Sequence, residues 1–204
     1  MRHPDARLLI LSKAPDPGAV KTRLIPLLGE TGAAHLYAAM LHSCIDRLSA
    51  AGLCPVDLWC TPTTGHPFFI DCRERYGVAL RQQAAGGLGQ RMQLALGTAL
   101  QQSGYALLVG ADCPGLAVSD IEESLQALEQ GTDVVLGPAL DGGYYLVGMR
   151  RSHSFLFENM PWGSADVLRM TESRLRARGC HWHRLALRRD LDTPEDYAAW
   201  KAAD

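Results

Sequence analysis

Short apolar runs alternate along this chain with longer stretches in which apolar residues recur every three or four positions. The clearest run lies in residues 105–116, YALLVGADCPGL, where residues 106–109 are continuously apolar. A short apolar run bounded by turn residues predicts a strand covered on both faces, as in a parallel sheet. Because Pro114 and Gly115 stop the strand, we expect Asp112 at the carboxyl edge of the sheet, where open α/β sheets bind ligands. An aspartate that merely caps a turn is the alternative.

Both patterns recur on either side of this central strand. Continuous or alternating apolar runs predict further strands at residues 7–12, 56–61, 78–82, 133–136 and 144–147, and a last strand around 181–183. Helical spacing predicts helices at residues 30–48 and from residue 88 onward, and a short irregular or helical piece at 65–75. Capping residues predict three more helix starts: Ser119 with Glu122 as a capping box, Ser164 as an N-cap, and Thr193 followed by Pro194.

Composition limits the class of protein. The chain has 204 residues, 47% hydrophobic and 21% charged, with a net charge of −2. These values predict one globular domain over residues 1–204 and give no argument for a nucleic-acid or membrane partner. No apolar run approaches the roughly 20 residues of a membrane span, and the N-terminal residues do not resemble a secretory signal. Six cysteines without a Cys-X-X-Cys pair favour reduced thiols, so a cytoplasmic location is predicted.

The loop after the first strand, KAPDPGAVKTRL, carries candidate phosphate ligands. A Walker A loop is excluded, because Gly18 lies three residues before Lys21 and no glycine directly precedes that lysine. What remains is a strand-to-helix loop whose backbone N–H groups and side chains of Lys21, Thr22 and Arg23 could wrap a triphosphate. A solvated basic turn is an equal alternative on this segment alone.

Three other segments are candidates for ligand contact. Residues 83–92, QAAGGLGQRM, lack a dinucleotide-binding glycine frame, but they lead into a helix and could approach a base or a phosphate, which Arg91 could bind. A plain loop is the alternative. Trp162 is either a wall of an acceptor pocket or a lid over the core. His181 and His183 alternate on the last strand, where a solvated strand face is favoured over a metal site.

Two aspartates far apart in sequence are predicted to meet. Asp192 directly precedes the helix that begins at Pro194, and we expect it at a strand end. Asp112 and Asp192 would then converge at one boundary of the sheet, near the basic loop. Paired carboxylates with cations nearby predict a site for Mg²⁺ and a triphosphate.

Five ordered motifs carry a family resemblance: KAPDPGAVKTRL, GGLGQRM, GADCPGL, GPALDGGYYLVG and LDTPEDY. Together they resemble a bacterial family of predicted glycosyltransferases in the nucleotide-diphospho-sugar transferase superfamily. Relatives of that family include molybdenum cofactor guanylyltransferase and 2-phospholactate guanylyltransferase. The resemblance covers nearly the whole chain. It implies an α/β protein with a GT-A-like, Rossmann-type three-layer fold and a mixed, mostly parallel central sheet.

The resemblance also implies roles for individual residues. Phosphate binding falls to Lys13, Gly18, Lys21, Thr22 and Arg23. The loop near the nucleotide is represented by Gly87, Leu88, Gly89, Arg91 and Met92, with Gly87 standing where family members often have Asp. Mg²⁺ or Mn²⁺ would be bound by Asp112 and Asp192. The acceptor side is represented by Asp141, Gly142, Gly143 and Tyr144, with Trp162 as a candidate wall.

The predicted activity is Mg²⁺-dependent transfer from a nucleoside triphosphate or nucleotide sugar to a small acceptor. In nucleotidyl transfer, Lys21 and Arg23 would offset phosphate charge while the acceptor attacks the α-phosphorus. In glycosyl transfer, Asp141 is the candidate base. A non-catalytic nucleotide-binding or regulatory protein is the alternative. The sequence leaves the base, the acceptor and the oligomeric state open.

Overall fold

A central sheet organises the computed structural model, which describes residues 1–203. Its strands are β1 (Ala6–Lys13), β2 (Val56–Thr61), β3 (Ala79–Gln82), β4 (Tyr105–Gly110), β5 (Val134–Pro138), β6 (Tyr144–Met149) and β7 (Trp182–Arg184). Within the described residues these seven strands are ordered β3-β2-β1-β4-β6-β5-β7. Strand β6 is antiparallel to both of its neighbours, and every other adjacent pair is parallel. The predicted mixed, mostly parallel sheet is confirmed.

The helices connect these strands. They are α1 (Ile25–Ala50), α2 (Pro67–Tyr76), α3 (Leu88–Leu100), α4 (Val118–Glu129), α5 (Val167–Ala177) and α6 (Pro194–Ala203), with short 3-10 turns at Thr22–Leu24 and Ser154–Leu156. Helix α1 is kinked at Gly29, where φ is 70°, so the predicted start at residue 30 marks the turn after the kink. Among the described helices, none has both the length and the apolar character needed to cross a bilayer.

Helices cover both faces of the sheet. Leu8 and Leu9 of β1 point to opposite faces because side chains alternate along a strand. Leu8 belongs to a core cluster that includes residues of α1, α2 and α4, whereas Leu9 belongs to a second cluster with residues of α3 and α5. Three layers result, and the predicted GT-A-like α/β architecture is confirmed.

Helix α6 is held against α1 by a third, smaller cluster. Leu24, Met40 and Leu191 are buried there, and Tyr197 and Trp200 of α6 pack against them. This contact places the residues just before α6 beside the loop that precedes α1. The segment before α6 and the loop before α1 therefore meet next to the carboxyl edge of the sheet.

The predicted capping box at Ser119 is wrong. Helix α4 begins at Val118 with Ala117 as the N-cap, and the Asp120 carboxylate accepts a hydrogen bond from the Ala117 N–H group at 2.8 Å. Asp120 is 3% exposed and also accepts two hydrogen bonds from Arg188. A tertiary ion pair therefore fixes which acidic side chain faces the helix start, and local spacing could not predict it.

The predicted start of α5 at Ser164 is also wrong. The helix begins at Val167, and Ser164 Oγ accepts a hydrogen bond from the Asp166 N–H group at 3.3 Å within a preceding turn. The Leu168 N–H group donates to the Gly142 carbonyl at 2.9 Å, so a partner from another loop replaces a local cap. At α6, by contrast, Thr193 Oγ1 accepts a hydrogen bond from the Asp196 N–H group, and this predicted cap is confirmed.

Candidate functional site

A cavity of about 530 Å³ opens at the carboxyl ends of β1 and β4. The loop before the first 3-10 turn forms one wall, the start of α3 forms another, and the segment before α6 closes the rim. Strand β6 begins at the same edge because it is antiparallel, so Tyr144 and Tyr145 also line the cavity. The cavity therefore lies where open α/β sheets place their ligands.

Lys21 lies between the two aspartates predicted to converge. Its Nζ atom is 2.5 Å from Asp112 Oδ1 and 3.6 Å from Asp192 Oδ1. The Lys21 side chain is 2% exposed, whereas those of Asp112 and Asp192 are 51% and 45% exposed. The angles at Nζ do not suit a hydrogen bond to any described residue, so the short contact with Asp112 is an ion pair. The two acids thus share one buried cation and face the cavity.

A backbone hydrogen bond brings the two acidic segments together. The Leu191 N–H group donates to the Asp112 carbonyl oxygen at 2.8 Å, and the Leu191 side chain is buried. The prediction that Asp192 ends a strand is wrong: β7 ends at Arg184, and an extended segment of residues 185–193 follows. The segment is held by tertiary contacts, which the local sequence pattern does not reveal.

The basic loop contains two cations in very different surroundings. Arg23 Nη1 donates to Asp192 Oδ2 at 2.9 Å, but the Arg23 side chain is 68% exposed. Lys21 is buried and has a left-handed backbone, with φ at 47° and ψ at 41°. Such a conformation is uncommon for residues other than glycine and asparagine, and it costs free energy. A solvated basic turn therefore describes Arg23 but not Lys21.

Asp190 is an acidic residue of the cavity that sequence analysis did not single out. Burial, followed by repulsion from the carboxylates of Asp141 and Asp112, raises the pKa of the Asp190 carboxyl group to about 7. Its Oδ1 atom is buried and has no hydrogen-bond partner within residues 1–203. The signal was its spacing: in an extended segment, residues two apart point to the same side, so Asp190 accompanies Asp192.

Another wall of the cavity is a network of hydrogen bonds around the neutral amide of Gln83. Gln83 Nε2 donates to the carbonyl oxygens of Ser12 and Trp59, each at 2.8 Å, and Gln83 Oε1 accepts from Arg91 Nη1 at 3.3 Å. Arg91 is thereby held at the start of α3, and its Nε atom is buried without a hydrogen-bond partner among the described residues. Gln83 was also missed, because its partners lie far away in sequence.

The Trp162 side chain packs against Gly89 at the start of α3. A Cβ atom added to Gly89 would lie 2.4 Å from Trp162 Nε1 and 2.9 Å from the Phe157 carbonyl oxygen. The Trp162 ring stacks on Phe157 and meets the Tyr144 ring edge-on. Trp162 therefore covers the start of α3 and the core, and in the described part of the chain it is not among the residues that line the cavity.

The other predicted site residues divide between the cavity and its surroundings. From the nucleotide set, those that line the cavity are Lys13, Lys21, Thr22, Arg23, Leu88, Arg91 and Met92. Three glycines of that set lie outside the lining: Gly18, Gly87 and Gly89. From the acceptor set, Tyr144 lines the cavity, while Asp141, Gly142 and Gly143 form an adjacent turn in which Asp141 Oδ1 accepts from the Gly143 N–H group at 2.8 Å. The structure thus brings together the predicted phosphate and metal residues more completely than the acceptor residues.

The carboxylates of the cavity suit a hard divalent cation by their chemistry. Mg²⁺ and Mn²⁺ prefer carboxylate oxygen ligands, and Asp112 and Asp192 already lie around one positively charged atom. Within residues 1–203 no group of three or more His, Cys, Asp or Glu side chains is arranged to hold a metal ion. The protein would therefore supply two ligands, and the others would come from water or from a phosphate-bearing ligand. At β7, His183 pairs with the exposed Glu123, whereas His181 is exposed just before the strand, so the two histidines do not alternate along it as predicted.

Solved structures similar to this chain include one described as a transferase and two described as synthases. A protein of Desulfovibrio desulfuricans G20, provisionally described as a nucleotide-diphospho-sugar transferase, is 28% identical, with a TM-score of 0.87 over 97% of this chain and 86% of that one. A 4-diphosphocytidyl-2C-methyl-D-erythritol synthase from Anaerococcus prevotii DSM 20548 is 11% identical, with a TM-score of 0.65 over 98% of both chains.

A third similar structure is glucosyl-3-phosphoglycerate synthase from Mycobacterium tuberculosis, in complex with Mn²⁺, uridine diphosphate and glucosyl-3-phosphoglycerate. It is 11% identical, with a TM-score of 0.58 over 96% of this chain and 75% of that one. At such low identity, the second and third similarities establish the fold alone.

The family assignment comes from the sequence. A search of curated proteins gave no match. The sequence profile of a bacterial family matches residues 44–164, which is more than half of the chain. The chain therefore belongs to the family described as uncharacterized protein conserved in bacteria, DUF2064.

Proposed function

We propose that this protein is a Mg²⁺-dependent transferase that takes a nucleotidyl or glycosyl group from a nucleoside triphosphate or nucleotide sugar and passes it to a small acceptor. One observation carries the proposal: the Lys21 ammonium lies between the half-exposed carboxylates of Asp112 and Asp192 in a cavity at the carboxyl edge of the sheet. Acids and cations that meet there suit a ligand with both phosphate groups and a divalent ion.

In the nucleotidyl version, an acceptor phosphate or carboxylate oxygen attacks the α-phosphorus, and pyrophosphate leaves with the bonding electron pair. Asp112 and Asp192 would hold Mg²⁺, which neutralises phosphate charge when it is bound. Lys21 and Arg23 would pair with phosphate oxygens, and the main-chain contact between Leu191 and Asp112 would keep the acids in register. Chemistry of this kind needs positioning and charge neutralisation more than a protein nucleophile.

The base of a nucleotide would lie against the Gln83 network. Leu88 and Met92 offer apolar contact there, and Arg91 offers a buried Nε–H group that has no partner among the described residues. The cavity volume of about 530 Å³ is in the range of small-molecule sites. Gly87 carries no side chain at a position where related sequences often have Asp, so the donor for base recognition would be Arg91.

Glycosyl transfer is the second candidate, and the D. desulfuricans protein favours it through its description as a nucleotide-diphospho-sugar transferase. In this version the sugar C–O bond breaks and a nucleoside diphosphate leaves. Asp141 would act as the base from the turn beside the cavity, close enough to Asp190 for the two carboxylates to repel. Kinship with the guanylyltransferases and a cytoplasmic location stay predictions.

The test is a calorimetric titration with GTP, CTP and UDP-glucose, with and without Mg²⁺, followed by a pyrophosphate-release measurement with a panel of small phosphates and carboxylates as acceptors. We expect Mg²⁺-dependent binding of at least one donor. Pyrophosphate release assigns nucleotidyl transfer, and release of a nucleoside diphosphate from UDP-glucose assigns glycosyl transfer. Binding without any turnover would support the non-catalytic alternative, and no binding of any donor would contradict the proposal.

A further inference from the structure

The cation position between the two acids is already filled by the protein itself. Lys21 Nζ lies 2.5 Å from Asp112 Oδ1 and 3.6 Å from Asp192 Oδ1, and Arg23 adds a contact of 2.9 Å to the other oxygen of Asp192. Two negative and two positive side chains therefore balance. A divalent ion on the same carboxylates would meet an ammonium group at close range, and this repulsion is strong in a partly buried site.

Lys21 lines the cavity together with the two acids but is far more deeply buried than they are. The Lys21 side chain is 2% exposed, whereas about half of each carboxylate side chain is open. Its left-handed backbone leads directly into the 3-10 turn Thr22–Leu24, where the Leu24 N–H group donates to the Lys21 carbonyl oxygen at 2.8 Å. The turn fixes where the Lys21 side chain begins, and the flexible four-carbon stem leaves its ammonium group able to move.

The ammonium group gains little from the protein besides charge. Its Nζ atom is buried and makes no hydrogen bond of good geometry to the part of the chain that the structure describes. An ammonium group has three donors and is strongly hydrated, so burial without directed hydrogen bonds is costly. Phosphate oxygens that entered the cavity would offer Lys21 the acceptors it lacks, and they would also bring ligands for a metal ion.

We propose that Lys21 acts as a built-in cation for the Asp112–Asp192 pair, so that the free protein excludes divalent ions and accepts them only as a complex with a phosphate-bearing ligand. The inference rests on the proposed function, because it concerns the same acids. It goes further by naming the species recognised: the metal–nucleotide complex, and not the metal ion followed by the nucleotide. Lys21 moves away from the carboxylates when its ammonium group pairs with phosphate oxygens of the ligand.

The test uses Mn²⁺ as the probe, with the metal-stripped full-length protein and no nucleotide. Free Mn²⁺ is measured by its electron paramagnetic resonance signal during titration. We expect Lys21→Met to bind Mn²⁺ at least about tenfold more tightly than the wild type, because the competing charge is gone. Lys201→Met is the control: Lys201 is exposed on α6 and is not among the described residues that line the cavity, so its loss should change Mn²⁺ affinity less than about twofold.

Further variants and measurements locate the Mn²⁺ site and check the fold. The Lys21→Met/Asp112→Asn double variant should lose the gain, which places the new Mn²⁺ site at the acidic pair. Circular dichroism checks the fold of each variant, and Lys21→Gln supplies a second neutral side chain if Lys21→Met does not fold. Thermal unfolding gives an independent readout, since Mn²⁺ should raise the Tm of Lys21→Met more than that of the wild type.

Clear results would overturn the inference. A wild-type protein that binds Mn²⁺ without nucleotide as tightly as folded Lys21→Met excludes competition by the lysine, and so does a gain that survives in the double variant. These outcomes are separate from a failure of the transferase proposal, because no nucleotide is present. A protein that binds Mg²⁺ with GTP or CTP but shows no gain in Lys21→Met would keep that proposal and lose this inference.

Discussion

The cavity has two unlike halves. The charged half, formed by Lys21, Arg23, Asp112, Asp190 and Asp192, collects side chains from three distant loops, and its contacts are ion pairs across the cavity. The amide half, formed by Ser12, Gln83, Leu88, Arg91 and Met92, rests on the Gln83 amide, which bonds Arg91 nearby in sequence and backbone carbonyl groups distant in sequence. Ion pairs stabilise the charged half, whereas hydrogen bonds of the Gln83 amide stabilise the amide half. Substitutions in the charged half should therefore change binding of the charged parts of a ligand, and substitutions in the amide half should weaken binding of charged and uncharged ligands alike.

The largest effect is expected from Asp112→Asn, which keeps the shape of the charged half but removes one of its three carboxylates. Mg²⁺-dependent binding of GTP or CTP should fall by more than about 100-fold, because a direct ligand of the metal matters at least as much as its outer partners. Calorimetry in Mg²⁺ and in EDTA measures the loss. Asp71→Asn, an exposed carboxylate on α2, should stay within about twofold of the wild type. Full retention of binding by Asp112→Asn would refute the metal assignment.

The next effect separates phosphate from base. Replacing both Lys21 and Arg23 by Ala should weaken triphosphate binding by about 100-fold and nucleoside binding by less than about threefold, because charge-assisted hydrogen bonds to phosphate are lost. Titrations of GTP and guanosine, or CTP and cytidine, give the two values. Replacing Arg73 and Arg75 on α2 removes the same charge far from the cavity and serves as the control. Equal losses for nucleoside and triphosphate would contradict a phosphate role.

Gly89→Ala tests the packing that supports the amide half. The added Cβ atom would lie 2.9 Å from the Phe157 carbonyl oxygen and 2.4 Å from the Trp162 ring, so the backbone and Trp162 must both move. We expect the free energy of unfolding to fall by about 2 kcal/mol, a typical cost of overpacking. Gly97→Ala on the same helix has its nearest contact at 3.9 Å and should stabilise the protein by about 0.5–1 kcal/mol. Urea denaturation measures the free energy of unfolding of both variants. Equal changes would show that Trp162 and Phe157 do not restrict the space at Gly89.

Gln83→Met should have the smallest effect on binding. It removes the hydrogen bond that fixes Arg91, worth about 1 kcal/mol, so nucleoside and triphosphate should both bind about fivefold less tightly. Gln82→Met, next to it on an exposed position whose amide bonds the Pro62 and Thr64 backbone, is the matched control. A loss confined to the triphosphate would assign Gln83 to the charged half and break the division between the two halves.

Local signals in the sequence predicted that Lys21, Asp112 and Asp192 would lie near one another, whereas Asp190 of the charged half was missed. Asp112 follows an apolar run that Pro114 must end, and Lys21, Thr22 and Arg23 stand together after a strand. The edge of a parallel sheet then makes their convergence a reasonable expectation. The strand pattern was equally informative, since covered strands are apolar throughout.

The amide half and several boundaries could not be predicted in the same way. Gln83 acts through carbonyl groups that include one 71 residues away, and nothing in the sequence around it marks this. At the start of α4 the backbone bonds to Asp120 and not to the predicted Ser119, because the Asp120 carboxylate also pairs with Arg188, which is again distant in sequence. Asp192 does not follow a strand, because the segment before it is held by a hydrogen bond from the neighbouring Leu191 N–H group to the Asp112 carbonyl oxygen. Each miss arises where a long-range contact overrides a local preference.

A main-chain hydrogen bond, and not a side chain, sets the gap between the two acidic segments. Because the Leu191 amide and the Asp112 carbonyl are present whatever side chains stand there, sequence drift at these positions can alter the chemistry of the rim without changing its span. Proline is the exception, since it lacks the amide hydrogen. Divergent relatives could therefore exchange carboxylate for amide or hydroxyl groups on an unchanged backbone frame, and acquire new ligands without refolding the cleft.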